Sequence, residues 1–227
     1  MLEELKEVNE YINKKINNSV RHKIKVLSEI EEDAKINSVP IISREVAEYI
    51  KFLISSNKNI KNILEIGTAT AYSGITMSAE IQEREGSLTT IEIDEKRYSI
   101  ARKNFEKSKL KNINQILGDA TEEIKKLNKK FDFIFIDAAK GQYKTFFEDS
   151  YDLLNEGGLI FIDNILFRGY MYKDDYPKRY KTLVRKLDEF IDYLYANYNF
   201  VLLPVSDGIG LIYKGSMSNG VNDIKIN

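Results

Sequence analysis

Residues 131–143 read FDFIFIDAAKGQY: an apolar run that stops on a carboxylate, Asp137, with Lys140 three positions on. Residues 158–164, GLIFIDN, repeat the pattern, with Asp163 and then Asn164 closing a second apolar run. Continuous apolar runs of this length mark strands of a parallel sheet covered on both faces. Acids at the ends of two such strands suggest a site rather than a detail of folding, because ligands of such sheets bind beyond the carboxyl ends of the strands.

Working outward, further strand candidates are Asn62–Ile66, Leu88–Ile93 and Ile113–Leu117, beside Phe131–Asp137 and Leu159–Asp163 themselves. Amphipathic stretches of roughly 10–16 residues separate them, long enough for crossover helices. The end differs: NFVLLPV (199–205), a Ser-Asp-Gly turn, then IGLIYK (209–214) predict a hairpin whose last strand is antiparallel. The expected fold is α/β, a Rossmann-like seven-stranded, mostly parallel sheet with an antiparallel last strand and helices on both faces. Residues 1–56 are expected as a helical N-terminal extension in three segments, broken near Pro40, with Ser43 as a helix N-cap. One domain over 1–215 is expected, with 216–227 a polar tail lacking any period.

The chain of 227 residues has 43% hydrophobic and 30% charged residues and a formal net charge of −1. Cysteine is absent, which excludes disulfides, thiolate nucleophiles and Cys-ligated zinc. The single histidine, His22, falls in a charged N-terminal stretch, which removes Ser-His-Asp chemistry for practical purposes. No apolar stretch reaches the roughly 18–20 residues that span a bilayer. The N-terminus resembles no signal peptide, so a cytoplasmic location is the expectation.

ILEIGTATAYSG (63–74) is a strand, a glycine turn and a helix start. Dinucleotide loops want G-x-G-x-x-G, but Ala69 and Tyr72 hold the second and third glycine positions. Glu65, Gly67 and the turn after them suit a ligand with hydroxyls and an amine better than one with phosphates; the plainer alternative is a tight turn at Gly67. Glu92, ending the second strand, stands where a ribose diol is held, while Asp94 caps the next helix. Asp119, ending the third, either accepts from an adenine amine or caps a helix. Three acids in a pocket without a phosphate cradle fit the cationic sulfonium of S-adenosylmethionine.

Neighbouring strands lie about 4.8 Å apart, so Asp137 and Asp163 fall close together if their strands are adjacent. Two such carboxylates repel unless a cation intervenes, and Asn164 adds a neutral oxygen. Three oxygen ligands without His or Cys point to Mg²⁺, with Ca²⁺ or Mn²⁺ as alternatives. The bland alternative is that each aspartate caps the helix or loop next to it in the chain. Lys140 beside the ion could act as a base or steer an anionic oxygen, against the alternative of a solvated loop lysine.

In order and spacing, LEIGTATAYSG, IEID, LGDA, FIDAAKGQY and FIDN resemble the metal-dependent O-methyltransferases of the catechol and caffeoyl-CoA type, over about residues 38–214. The resemblance implies that Glu65, Gly67, Ser73, Glu92, Asp119 and Asp137 hold S-adenosylmethionine. It implies that Asp137, Asp163 and Asn164 bind Mg²⁺ and that Lys140 and Asp137 are catalytic. Catechol enzymes commonly carry a bulky aromatic near the first aspartate, where this chain has Ala138-Ala139, a departure that argues against a small catechol. VPIISREVAEYI (39–50), DNILFRGYM (163–171) and YPKRYKTLVRKLDEFIDYL (176–194) resemble the bacterial tRNA 5-hydroxyuridine methyltransferases, which implies a tRNA anticodon loop as partner.

Arg168, Lys178 and Arg179 are the candidate RNA contacts, since phosphates favour such a patch and Phe167, Tyr170 and Tyr172 could stack on splayed bases. A Lys/Arg-rich amphipathic helix is also an ordinary solvated face. Three classes emerge: a tRNA-modifying enzyme, a small-molecule O-methyltransferase acting on phenols, or an RNA-binding module without turnover. Leu2, Leu5, Val8, Ile12 and Ile16 at helical spacing could cap the pocket or pair two subunits, and a homodimer is expected.

Overall fold

The computed structural model describes residues 2–17, 25–173 and 175–215. His22 and the polar tail 216–227 lie outside the described residues, as do the side chains of Leu2 and Leu5. Among the described residues one sheet forms from β1 (Asn62–Ile66), β2 (Ser87–Glu92), β3 (Ile113–Leu117), β4 (Phe131–Ile136), β5 (Leu154–Ile162), β6 (Asn199–Leu203) and β7 (Ile209–Tyr213). Their order is β3-β2-β1-β4-β5-β7-β6. Only β7 runs against its neighbours, pairing antiparallel with both β5 and β6.

Helices cover both faces. On one lie α2 (Lys25–Asn37), α3 (Arg44–Ser56), α4 (Tyr72–Ile81) and α5 (Glu95–Ser108); on the other α6 (Ala120–Glu123), α7 (Tyr143–Tyr151) and α8 (Lys181–Asn197). Strand alternation sorts the core between them. Phe133, Phe135 and Phe161 join Val46, Ile50 and Ile54 of α3, while Ile134, Ile136 and Ile162 join Phe147 of α7 and Leu187 and Leu194 of α8. Ser43 caps α3 as expected, its hydroxyl accepting from the Val46 amide. The remaining helix, α1 (Leu2–Asn17), leaves Val8 51% and Ile12 37% exposed. Among the described residues no helix is long and apolar enough to cross a membrane.

Two local expectations need correction. β5 starts at Leu154, five residues ahead of the expected Leu159, because Leu154 is buried and pairs with Phe131 before the register shifts. Asn155-Glu-Gly-Gly158 looks like turn chemistry in sequence and instead forms that irregularity, with the Gly157 and Lys214 backbones tying it to the end of β7. The hairpin turn is likewise longer, a loop from Pro204 to Gly208 in which Ser206 and Gly208 are left-handed.

Register is what places the site. Ile66 pairs with Ile136 and with Ile91, and Ile136 pairs with Ile162. The residues next along each strand, Gly67, Asp137, Glu92 and Asp163, therefore form one row across the carboxyl edge of the sheet. Backbone hydrogen bonds extend the ladder into it: the Asp137 amide donates to Ile66 O and the Asp163 amide to Ile136 O, each at 3.0 Å.

Phe161 holds that edge from below. It is fully buried, with ring centroids of Phe135 at 5.5 Å, Tyr49 at 6.2 Å and Phe133 at 6.3 Å. Phe161→Ala should lower unfolding free energy by about 3–5 kcal/mol in urea titration, the usual range for a buried aromatic that leaves a cavity. A loss below about 1 kcal/mol would mean that this core layer collapses around the gap.

Candidate active site

The row of strand ends opens into a cavity of about 400 Å³. Gly67, Glu92, Asp119, Asp137, Lys140 and Asn164 all line it. They come from β1 through β5, and five adjacent strands at about 4.8 Å spacing span roughly 19 Å, which suits an elongated ligand.

Gly67 is required at its position. Its φ is +100°, and a Cβ there would stand 2.1 Å from the Asp137 carbonyl oxygen. Only glycine lets the β1 turn approach β4 this closely. After it, Ala69 and Ala71 also take positive φ, 46° and 76°, so the loop bends tightly without a second glycine. Glu92 fixes this bend: one carboxylate oxygen accepts from the Ala69 amide at 2.8 Å, the other from the Asp94 amide at 2.9 Å. Asp94 caps α5 through the Arg97 amide. Asp119 caps α6 through the Thr121 amide and hydroxyl and also lines the cavity.

Glu65 and Ser73 are placed differently from the expectation. Glu65 is fully buried beneath the loop and shows no surface to the cavity. Ser73 donates to one of its oxygens and Thr90 to the other, and the Thr68 and Thr90 hydroxyls share a further bond. The cause is register: Glu65 pairs with Thr90 across β1 and β2, so its side chain points into the face covered by α4. This buried network braces the loop from below.

At the other end Asp163 is 1% exposed. One of its oxygens accepts from the Asn164 amide at 2.8 Å; the other, Oδ2, is buried with no hydrogen-bond partner. Burial, reinforced by Asp137, pushes the Asp163 carboxyl up, and burial pushes Asp137 up while Lys140 opposes it. A buried carboxylate oxygen left bare beside a second carboxylate is the donor a cation would satisfy. Among the described residues no group of three or more His, Cys, Asp or Glu side chains converges. The donor set that fits is two carboxylates plus the Asn164 amide, all hard oxygens.

Lys140 Nζ lies 3.4 Å from Asn164 Oδ1 and 3.3 Å from the Tyr143 hydroxyl, both longer than a strong hydrogen bond. Tyr143, overlooked in sequence, is buried and donates to the Asp163 carbonyl at 2.9 Å, joining the Lys140 turn to the end of β5. Its spacing of three from Lys140 was the available signal. Pro40 and Ile41, from the VPIISREVAEYI stretch, also line the cavity.

The aromatic expectation is corrected in part. Phe167 is 7% exposed, packed edge-on against Tyr170 and Tyr180 at 5.4 and 5.1 Å, and Tyr170 stacks on Tyr180. Rings so engaged with each other are not free to receive bases. Tyr172 remains 63% exposed, and Arg168, Lys178 and Arg179 are exposed, with the Arg179 guanidinium over the Tyr180 ring.

A family model described as O-methyltransferase matches residues 14–215. The chain belongs to that O-methyltransferase family. It is an S-adenosylmethionine-dependent O-methyltransferase of the caffeoyl-CoA and catechol type. It is similar to the catechol O-methyltransferase of Niastella koreensis, 33% identical over 172 residues (70% of this chain, 77% of that one). It is also similar to the caffeoyl-CoA O-methyltransferase of Citrus natsudaidai, 32% identical over 185 residues (75% and 79%). Among solved structures, the SAH-bound methyltransferase PaMTH1 of Podospora anserina has a TM-score of 0.81 at 27% identity, covering 93% of this chain and 95% of that one.

The buried network gives this enzyme a pH signature. Burial pushes the Glu65 carboxyl up to about 7, from 4.5 in an exposed setting, despite the Ser73 and Thr90 donors. Folding thus favours the protonated form: its stabilisation is complete below pH 4.5 and is lost as pH rises through 7. Glu65→Gln should flatten this dependence in ligand-free protein and gain on the order of 1–3 kcal/mol above neutrality. Urea titrations from pH 4.5 to 8 check it; parallel curves for the two proteins would contradict it.

Proposed function

We propose that this O-methyltransferase uses a divalent cation, Mg²⁺ foremost, and methylates the 5-hydroxyl of wobble 5-hydroxyuridine in tRNA to 5-methoxyuridine. The observation that carries the cation is the bare Asp163 Oδ2 beside Asp137 and Asn164. The one that supports RNA is the exposed basic set Arg168, Lys178 and Arg179, with exposed Tyr172, on the segment that leaves the site directly after Asn164.

When bound, S-adenosylmethionine supplies an electrophilic methyl group and the cation an anchor that acidifies the acceptor hydroxyl. Gly67 and the Ala69 turn admit the donor against the backbone. Glu92 would hold the ribose hydroxyls and Asp119 the adenine edge. Asp137, Asp163 and Asn164 would hold the ion, and Lys140 would steady the acceptor oxygen and carry its proton away. Much of the acceleration should come from fixing donor and acceptor in one geometry. A wobble base lies in a single-stranded loop, so no duplex has to be opened to reach it.

A small phenolic acceptor is the second reading, favoured by the activities for which the relatives from Niastella and Citrus are named and by the apolar part of the cavity, Ile41, Ile91, Ile93 and Phe146. Within this reading the Ala138-Ala139 pair, where catechol enzymes carry a bulky aromatic, argues against a small catechol.

Mass spectrometry of tRNA nucleosides from cells lacking the protein should show 5-methoxyuridine replaced by 5-hydroxyuridine. Unchanged 5-methoxyuridine would reject the RNA substrate and leave the phenol. In vitro, excess EDTA should abolish turnover, and unaltered rates would reject the cation. Reversing charge at Arg168, Lys178 and Arg179 together should cut activity on tRNA at least about tenfold and reduce the salt slope by about 2, while a phenol is methylated as before.

A further inference from the structure

Directly after Asp163 the backbone takes an unusual course. Asn164, Phe167 and Arg168 have φ of 52°, 44° and 59°, and Gly169 comes next at 71°. Each non-glycine residue in this region costs on the order of 1–2 kcal/mol, so such a run persists only where the surroundings hold it. The holder is the loop between β6 and β7. Gly208 O accepts from the Ile165 amide at 3.1 Å, Asp207 O from the Leu166 amide at 2.9 Å, and the Asp207 carboxylate from the Arg168 amide at 2.7 Å. The fit is close: a Cβ on Gly208, itself at φ +84°, would lie 2.3 Å from Leu166 Cγ.

We propose that Asp207 is a positioning residue for the candidate cation site: by gripping the left-handed segment after Asn164, it sets the place of the Asn164 amide oxygen. Three backbone-directed bonds from one short loop pin both sides of a bend whose first member is a candidate ligand. The side-chain bond is the strongest of them, since a carboxylate accepting from a backbone amide is charge-assisted and short. The same grip orients Arg168, whose amide is the one held and whose side chain faces outward with the basic rim. Asp207 does not line the cavity; its carboxylate also adds negative charge near Asp163, and the Asp207→Asn variant below separates that charge from the grip on the bend. The proposal rests on the cation reading under Proposed function.

Electron paramagnetic resonance of MnCl₂ titrated into the full chain tests it, with S-adenosylhomocysteine affinity by calorimetry as the second readout. Asp207→Ala should weaken Mn²⁺ binding about 10- to 100-fold, the usual range for losing an outer-shell support. S-adenosylhomocysteine affinity should stay within about twofold, because Glu92, Asp119 and the Gly67 turn are untouched. Asp207→Asn, which keeps an oxygen acceptor without the charge, should restore most of the Mn²⁺ affinity. Equal Mn²⁺ binding by wild type and Asp207→Ala would overturn the proposal alone, and so would an Asp207→Asn as weak as the alanine variant. A parallel loss of both ligands would also overturn it, as a general folding defect. A wild-type chain that binds no Mn²⁺ would bring down the cation reading and this proposal together.

Discussion

A carboxylate sealed from water beside a second, half-buried one forms the constraint on which the site depends. Ile136 and Ile162 pair in register, so Asp137 and Asp163 must come next to each other across the sheet edge. The pairing cannot relax by a slip of one residue, because that would turn the phenylalanines and isoleucines of the slipping strand onto the wrong faces. The hydrophobic core therefore forces an electrostatic conflict at its own rim. Nearly complete burial of Asp163, with one oxygen unpartnered, prevents water from resolving it. A hard cation would resolve it, which is why the register of the core strands matters to the proposed chemistry.

The same edge explains the division of labour along the cavity. Toward β2 and β3 the acids are engaged by backbone amides: Glu92 by Ala69 and Asp94, Asp119 by Thr121. They are held rigid before any ligand arrives, and each retains lone pairs for hydroxyl or amine donors. Toward β4 and β5 the acids are left short of partners, and Lys140 reaches Asn164 and Tyr143 only loosely. One half is preorganised for an organic donor. The other has the unpartnered oxygen that a cation would complete.

Most of the architecture was legible because its signals are local and periodic. The FID repeats announced two adjacent strands, apolar runs alternating with helical stretches announced the parallel sheet, and Ser43 and Asp94 cap helices as their spacing suggests. The illegible part depends on contacts distant in sequence. Glu65 was expected at the ligand because it ends a strand, yet pairing with Thr90, 25 residues on, turns it inward. The strand expected from Leu159 starts at Leu154 instead, because the buried Leu154 pairs with Phe131. The Ser-Asp-Gly stretch showed a hairpin without showing that Asp207 reaches Arg168 across 39 positions. Phe167 and Tyr170 were aromatic residues near a site, and only tertiary packing reveals that they occupy one another.

On the proposed reading, oxygens of Asp137, Asp163 and Asn164 would seat a divalent ion at the junction of β4 and β5. A crystal grown with MnCl₂ and S-adenosylhomocysteine, with data collected at the manganese absorption edge, measures this directly. One strong anomalous peak at bonding distance from all three side chains is the expected result. An anomalous map empty at that position, with Asp163 Oδ2 bonded instead to a protein donor, would contradict it.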